Sequence, residues 1–240
     1  MLDKYFDKII KGTEVEDSLV IVQAFKGMIG QKFSILSYYK EIPVSYDAKL
    51  LSVENEMAEF EVHDYQAKVI SMQRKALIYA NPKSPFREDV LAEAFYVNIA
   101  KKRVILCKFS YAKILSNMRR FVRVELGDIK ADAVLMVDGN IIGGGVIKDI
   151  SLGGAALSIR TSTNLLVGME FNLFLKLPNP MNQVITEVSL SAVIISVTGN
   201  TTTYNCIIEF QPEKVSQQQI AYFINQRQVE IIKELKDLIV

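Results

Sequence analysis

The chain has 240 residues, of which 50% are hydrophobic and 23% charged, with a formal net charge of +1. Such a balance excludes a disordered chain, and the length suits two small domains that each bury a core. A net charge near zero, with no long run of Lys or Arg, leaves no field for gathering a nucleic-acid polymer.

Residues 2–11 read as a short helix, because Leu2, Phe6, Ile9 and Ile10 recur at helical intervals. A second helix is expected over about residues 17–28, closed by Gly27 and Gly30. Strand patterns then follow at 32–38, 44–53, 57–63, 67–72, 76–79, 92–99 and 104–109. Asn55 and the segment Asn81–Pro85 supply turn signals between them. The chain divides near residues 111–118, and strands resume at 122–126, 131–137, 141–150, 155–159, 170–177, 184–197 and 203–210. Asp138-Gly139-Asn140 signals a hairpin, while Pro178–Pro180 and Gly199-Asn200 mark loops. After Pro212 the apolar period lengthens, and Ile220, Phe223, Ile224, Ile231, Leu235 and Leu238 form the stripe of one long helix.

The expected fold is therefore mainly β: two small antiparallel β-barrel domains with short N-terminal helices and a long C-terminal helix. The domains are placed at residues 1–113 and 114–240. A weak internal echo sets Tyr39–Ile70 beside Arg120–Leu157, with His63–Gln66 falling where Lys148–Ser151 falls. The stretch Tyr39–Ile70 lacks the arginine pair, so a related barrel without a ligand site is one reading of the first domain.

The amino terminus mixes both charge signs and lacks the apolar core of a signal peptide, and no stretch approaches the ~18 apolar residues of a membrane span. A cytoplasmic protein is expected. Cys107 and Cys206 sit singly in apolar strand patterns and read as buried free thiols. His63 is the only histidine, so a His-based metal site or nucleophile relay has little material. Gly143-Gly144-Gly145 lacks the G-K-[ST] of a phosphate loop and reads as close packing in a strand. Glu54, Glu56, Glu59 and Glu61 alternate as a solvated strand face. No set of acid, base, nucleophile or metal ligands emerges, and the chain is read as a binding protein rather than an enzyme, with no cofactor.

One constellation does carry chemistry. Arg119, Arg120 and Arg123 lie in a run R-R-F-V-R, and Asp149, Ser151 and Gly154 follow as D-x-S-x-x-G. An arginine fork meets the N7 and O6 acceptors of guanine bidentately, stacks on a purine face and pairs with phosphate. A carboxylate suits guanine's N1–H and N2–H donors, and a hydroxyl two residues on shares its strand face. Gly154 admits a close backbone approach or a positive φ. Either motif alone is common. Average composition places both, in order and close together, in only about a few per thousand chains of this length. A guanine dinucleotide satisfies all of these groups at once.

These segments resemble the PilZ domain, the bacterial receptor module for cyclic di-GMP. Tyr204–Phe210 resembles the last barrel strand of that family, and Ala221–Gln228 resembles the C-terminal helix of its flagellar-brake, YcgR-like subgroup. The likeness covers roughly residues 117–235. It implies a cyclic di-GMP ligand held by Arg119, Arg120, Arg123, Asp149, Ser151 and Gly154, one copy or a stacked pair. It also implies a change of domain orientation or loop order on binding. Motility, biofilm or exopolysaccharide output would then be controlled through a protein partner, by a monomer or homodimer. A structural interaction module with a vestigial nucleotide site is the alternative.

Overall fold

The computed structural model describes residues 2–80, 86–115, 119–127, 129–179, 182, 184–200 and 202–239. The chain falls into two compact units. The first comprises Met1–Tyr39, Pro43–Arg119 and Glu234–Val240, and the second Lys40–Ile42 and Arg120–Lys233. A 3-10 turn at Leu2–Tyr5 leads into β1 (Phe6–Ile9), α1 (Glu14–Lys26), β2 (Lys32–Tyr39), β3 (Ile42–Glu54) and β4 (Met57–Glu61). Then come α2 (Asp64–Gln73), β5 (Lys75–Ile78), β6 (Asp89–Asn98) and β7 (Arg103–Ile114). The later elements are β8 (Arg123–Glu125), β9 (Asp132–Val137), β10 (Asn140–Ser151), β11 (Gly154–Arg160) and β12 (Glu170–Pro178). They are followed by β13 (Ile185–Asn200), β14 (Thr203–Gln211) and α3 (Lys214–Asp237).

Each unit holds a closed antiparallel barrel. Around the first the order is β7-β4-β3-β2-β5-β6 and back to β7; around the second it is β14-β11-β10-β9-β12-β13 and back to β14. The two connectivities are the same strand for strand. They differ in the short strand added outside the ring, β1 on β7 in one and β8 on β10 in the other. Closure pairs strand edges that would otherwise invite association.

Alternation along the strands decides what lies inside. In the first barrel α1 starts with a capping box between Thr13 and Glu16 and buries Ile21, Val22 and Phe25. The Phe25 ring meets Phe33, Phe60, Phe86 and Phe109 in edge-on geometry with centroids 5.0–5.8 Å apart. In the second, Val124, Ile150, Ala155 and Ile208 face inward on successive strands, and α3 buries Ile220, Phe223, Ile224 and Ile231. The hairpin expected at Asp138-Gly139 forms with both residues at positive φ. β10 runs unbroken through Gly143–Gly145, and a Cβ at Gly145 would lie 1.9 Å from the Ser158 carbonyl. Close packing is the reason for that glycine.

Some sequence expectations are corrected. Residues 2–11 are a 3-10 turn and a strand, because Phe6–Ile9 pair with Tyr111–Ile114 across the whole first unit. Residues 67–72 belong to helix α2. There His63 takes the N-cap and accepts from the Tyr65 N–H, while Gln66, Ala67, Val69 and Ile70 are buried. The echo is real in topology but misregistered, since His63–Gln66 open α2 rather than ending β3. The tight hairpin Ser151↔Gly154 corresponds to Glu54↔Met57, which makes Ser52 the counterpart of Asp149. Cys206 is buried, whereas Cys107 is only partly covered, and burial raises both thiols. Leu238 lies past the end of α3 and is exposed. The turn at Asn81–Pro85 lies outside the described residues, as do residues 116–118 of the 111–118 join, whose first four residues are the end of β7. Among the described residues no helix is long and apolar enough to cross a membrane.

Asp64, in the first turn of α2, provides a pH test of the first barrel. Burial raises its carboxyl, but the Tyr65 N–H at 3.0 Å, the His63 ring and Lys102 outweigh it and hold the group below its ordinary value. A carboxyl depressed by folding contributes stability above its unfolded pKa and loses it as pH falls through the folded value. Asp64→Asn should therefore melt below wild type at pH 7, with the gap closing as pH falls below about 4. A gap in melting temperature that stays constant over that range would contradict this.

Candidate nucleotide-binding site

The site is built where β10 changes partners. It pairs with β9 from Asn140 to Val146 and with β8 from Asp149 to Ser151. Between these stretches its register against β11 slips between Ile147 and Asp149, which leaves Lys148 as the extra residue of a bulge. A bulge bends the strand and re-aims the side chains that follow. The Lys148 carbonyl accepts the Leu126 N–H at 3.0 Å, and its Nζ donates to Asn205 Oδ1 at 2.6 Å. The first barrel has a matching slip between Leu50 and Ser52, just ahead of the counterpart position.

Register then fixes which residues share a face. Arg123 on β8 lies opposite Ser151 on β10, Ser151 opposite Gly154 on β11, and Gly154 opposite Glu209 on β14. The next outward row runs Glu125, Asp149, Ala156 and Ile207. Between these rows Val124, Ile150, Ala155 and Ile208 point into the core, so Arg123, Asp149, Ser151 and Gly154 lie together on the outer wall. Neighbouring strands are about 4.8 Å apart, so the patch from Arg123 to Gly154 spans about 10 Å.

Ser151 and Gly154 also have structural work. Ser151 is 8% exposed, and its hydroxyl donates to the Gly154 carbonyl at 3.2 Å, closing the two-residue turn between β10 and β11. Of the two reasons weighed for a glycine at 154, close approach is the one observed. A Cβ there would lie 2.1 Å from the Ile208 carbonyl oxygen of β14.

The arginine run is divided. Phe121 covers the turn, with its Cδ2 2.9 Å from where a Cβ on Gly153 would be, and the exposed Arg120 guanidinium lies 5.1 Å from the Phe121 ring centroid. Arg119 is grouped with the first unit, where its guanidinium lies 5.1 Å from the Tyr5 ring centroid. Tyr5 is itself stacked on Tyr38 at 3.7 Å. The second unit thus brings together Arg123, Asp149, Ser151 and Gly154, with Arg120 over the Phe121 ring, while Arg119 lies over the Tyr5 ring.

Sequence reading missed three contributors. Phe121 sat inside the arginine run with a Gly-Gly pair downstream, a signal for an aromatic lid on a turn. Lys148 gave no signal, because a bulge depends on its partner strand. Arg227 gave a clear one: it interrupts the apolar stripe of α3 seven residues after Ile220, at a core-facing position. It is 2% exposed, and it donates through Nε to the Glu125 carbonyl at 3.0 Å and through a terminal nitrogen to the Leu126 carbonyl at 3.1 Å.

A search of curated proteins finds no match. Among solved structures, Escherichia coli YcgR in complex with c-di-GMP is similar at 12% identity and a TM-score of 0.43, covering 99% of both chains. The Bacillus subtilis inhibitor of motility MotI/DgrA is similar at 15% identity and a TM-score of 0.41, covering 84% of this chain and 97% of that one. The K. pneumonia MrkH–c-di-GMP complex is similar at 16% identity and a TM-score of 0.40, covering 96% of this chain and 99% of that one. The family match falls on the segment that carries both motifs: residues 117–226 of this chain match the model of the PilZ domain family.

Proposed function

We propose that this protein is a cyclic di-GMP receptor whose ligand lies on the outer wall of the second barrel. The observation that carries the reading is the β8–β10 register, which sets Arg123 opposite Ser151 with Asp149 two residues along the same face. Arg123 and Arg120 take phosphate or the guanine N7/O6 edge through planar forks. Asp149 accepts from guanine N1–H and N2–H, and Ser151 adds a hydroxyl while holding the turn. Gly154 keeps the wall low, so that the dinucleotide can approach the strand. Arg119 completes the clamp when the segment before β8 closes on the ligand, in exchange for its contact with Tyr5.

Binding rather than turnover is the function. Ordering of the arginine segment, or a changed domain orientation, conveys the binding event to a protein partner in the cytoplasm. The likeness of Ala221–Gln228 to flagellar-brake proteins fits a motility output, with biofilm, exopolysaccharide and transcription-linked control among the outputs the family also uses. Dialysis against cyclic di-GMP followed by chromatography of the retained nucleotide tests this. Retention of intact dinucleotide is expected, and linear dinucleotide or GMP that scales with protein would contradict it.

One observation favours a second reading. Ser151 and Gly154 each have a structural role without any ligand, so both could stand in a barrel kept for protein contact alone. On that reading dialysis retains no dinucleotide.

A further inference from the structure

We infer that Arg227, on the C-terminal helix, is a positioning residue for the ligand site, acting through β8. The inference rests on the receptor reading above. β8 is only three residues long and, among the described residues, pairs with β10 alone, which leaves one of its edges without a strand partner there. Leu126, just past its end, turns its N–H toward β10 and the Lys148 carbonyl. Glu125 turns its backbone the other way, toward the open edge. Its N–H donates to the carbonyl of Lys40, a residue of the same compact unit, at 3.3 Å. Its carbonyl accepts from Arg227 Nε, and the next carbonyl, of Leu126, accepts from a second Arg227 nitrogen. One guanidinium therefore fastens two successive carbonyls at the end of the strand that carries Arg123.

The arrangement is costly unless it does something. A guanidinium 2% exposed has given up water, and an apolar side chain at this stripe position would bury without that penalty. Glu230, one turn along α3, faces the same guanidinium and balances its charge. Only an arginine reaches both carbonyls and a carboxylate at once from a rigid planar fork. Gly127, at φ +59, lets the chain leave β8 beside this group, with a hypothetical Cβ 3.4 Å from the Arg227 nitrogen. A strand this short has few ladder bonds of its own. The clamp thus sets how firmly Arg123 is held opposite Ser151, and a ligand that draws on Arg123 pulls on α3 through the same two carbonyls.

Arg227→Lys keeps the charge and most of the volume but loses the fork. In the full-length protein, calorimetry with cyclic di-GMP should show the dissociation constant rise at least fivefold, at a temperature where circular dichroism shows the variant folded. Hydrogen exchange should quicken at Leu126 and leave the β13–β14 ladder unchanged, a local effect that a merely stabilising role would not produce. Equal affinity in Arg227→Lys and wild type would overturn the inference while leaving the receptor reading intact. Wild type that fails to bind overturns both. Should the variant not fold, wild type alone decides: the Arg227 Nε–H resonance should shift as cyclic di-GMP is added, and a resonance unmoved at saturation overturns the inference.

Discussion

Arg123→Ala is expected to weaken cyclic di-GMP binding at least tenfold while the second barrel stays folded. Arg123 projects outward from a three-residue strand, whereas its neighbour Val124 is fully buried, so the substitution leaves the core intact. A charge-assisted hydrogen bond to phosphate or to a guanine edge contributes about 1.5–3 kcal/mol, and every 1.4 kcal/mol or so is tenfold in affinity. Arg123→Lys should recover little of the loss, since an ammonium lacks the fork that meets two acceptors in one plane. Asp149→Asn should also weaken binding, because an amide carries no charge toward the guanine donors. Calorimetric titration of each variant measures the effect, and unchanged affinity in Arg123→Ala would remove this residue from the site.

Gly154→Ala should damage the fold rather than the contact surface. The new methyl would sit 2.1 Å from the Ile208 carbonyl oxygen and 3.4 Å from the Glu209 Cα, both backbone atoms of the paired strand β14. Neither can rotate aside, so β11 and β14 must part at the end of their ladder. Overpacking a well-filled interior costs about 1–3 kcal/mol and occasionally more, and backbone-to-methyl overlap belongs at the upper end. A cost of about 3 kcal/mol would lower the melting midpoint by roughly 10 °C. Gly144→Ala is the matched control on β10, where the nearest heavy atom to the added methyl, the Ala133 carbonyl oxygen, is 3.6 Å away. Equal melting of the two variants would contradict the close-approach account of Gly154.

The two motifs could be read before the fold was known because both are local. Arg119–Arg123 are five consecutive residues leading into β8, Asp149–Gly154 six spanning the end of β10, its turn and the start of β11, and the period of two along β10 already placed Asp149 and Ser151 on one face. What lay beyond reach was pairing. Nothing near Phe6 announces that Tyr111–Ile114 is its partner, so four residues with helical spacing looked like a helix. α2 was missed because His63 caps it in place of a residue that normally signals a start, and Arg74 ends it at φ 58 where a glycine would have been noticed. The bulge at Lys148 and the opposition of Arg123 to Ser151 are properties of two strands at once. The division of the arginine run, with Arg119 against Tyr5, depends on a contact 114 positions apart in sequence, between residues 5 and 119.

Calorimetric titration of the wild-type protein with cyclic di-GMP, run beside cyclic di-AMP, tests the central claim most directly. The two dinucleotides share their phosphates and sugars and differ at the base edges. Asp149 and the arginine forks match the guanine donors and acceptors, whereas adenine turns an acceptor toward the carboxylate and an amino group toward the forks. A saturable heat with cyclic di-GMP, at a dissociation constant of about 1 μM or tighter, and at least a hundredfold weaker response to cyclic di-AMP are the predicted result. No heat with cyclic di-GMP, or equal affinity for both, would contradict it.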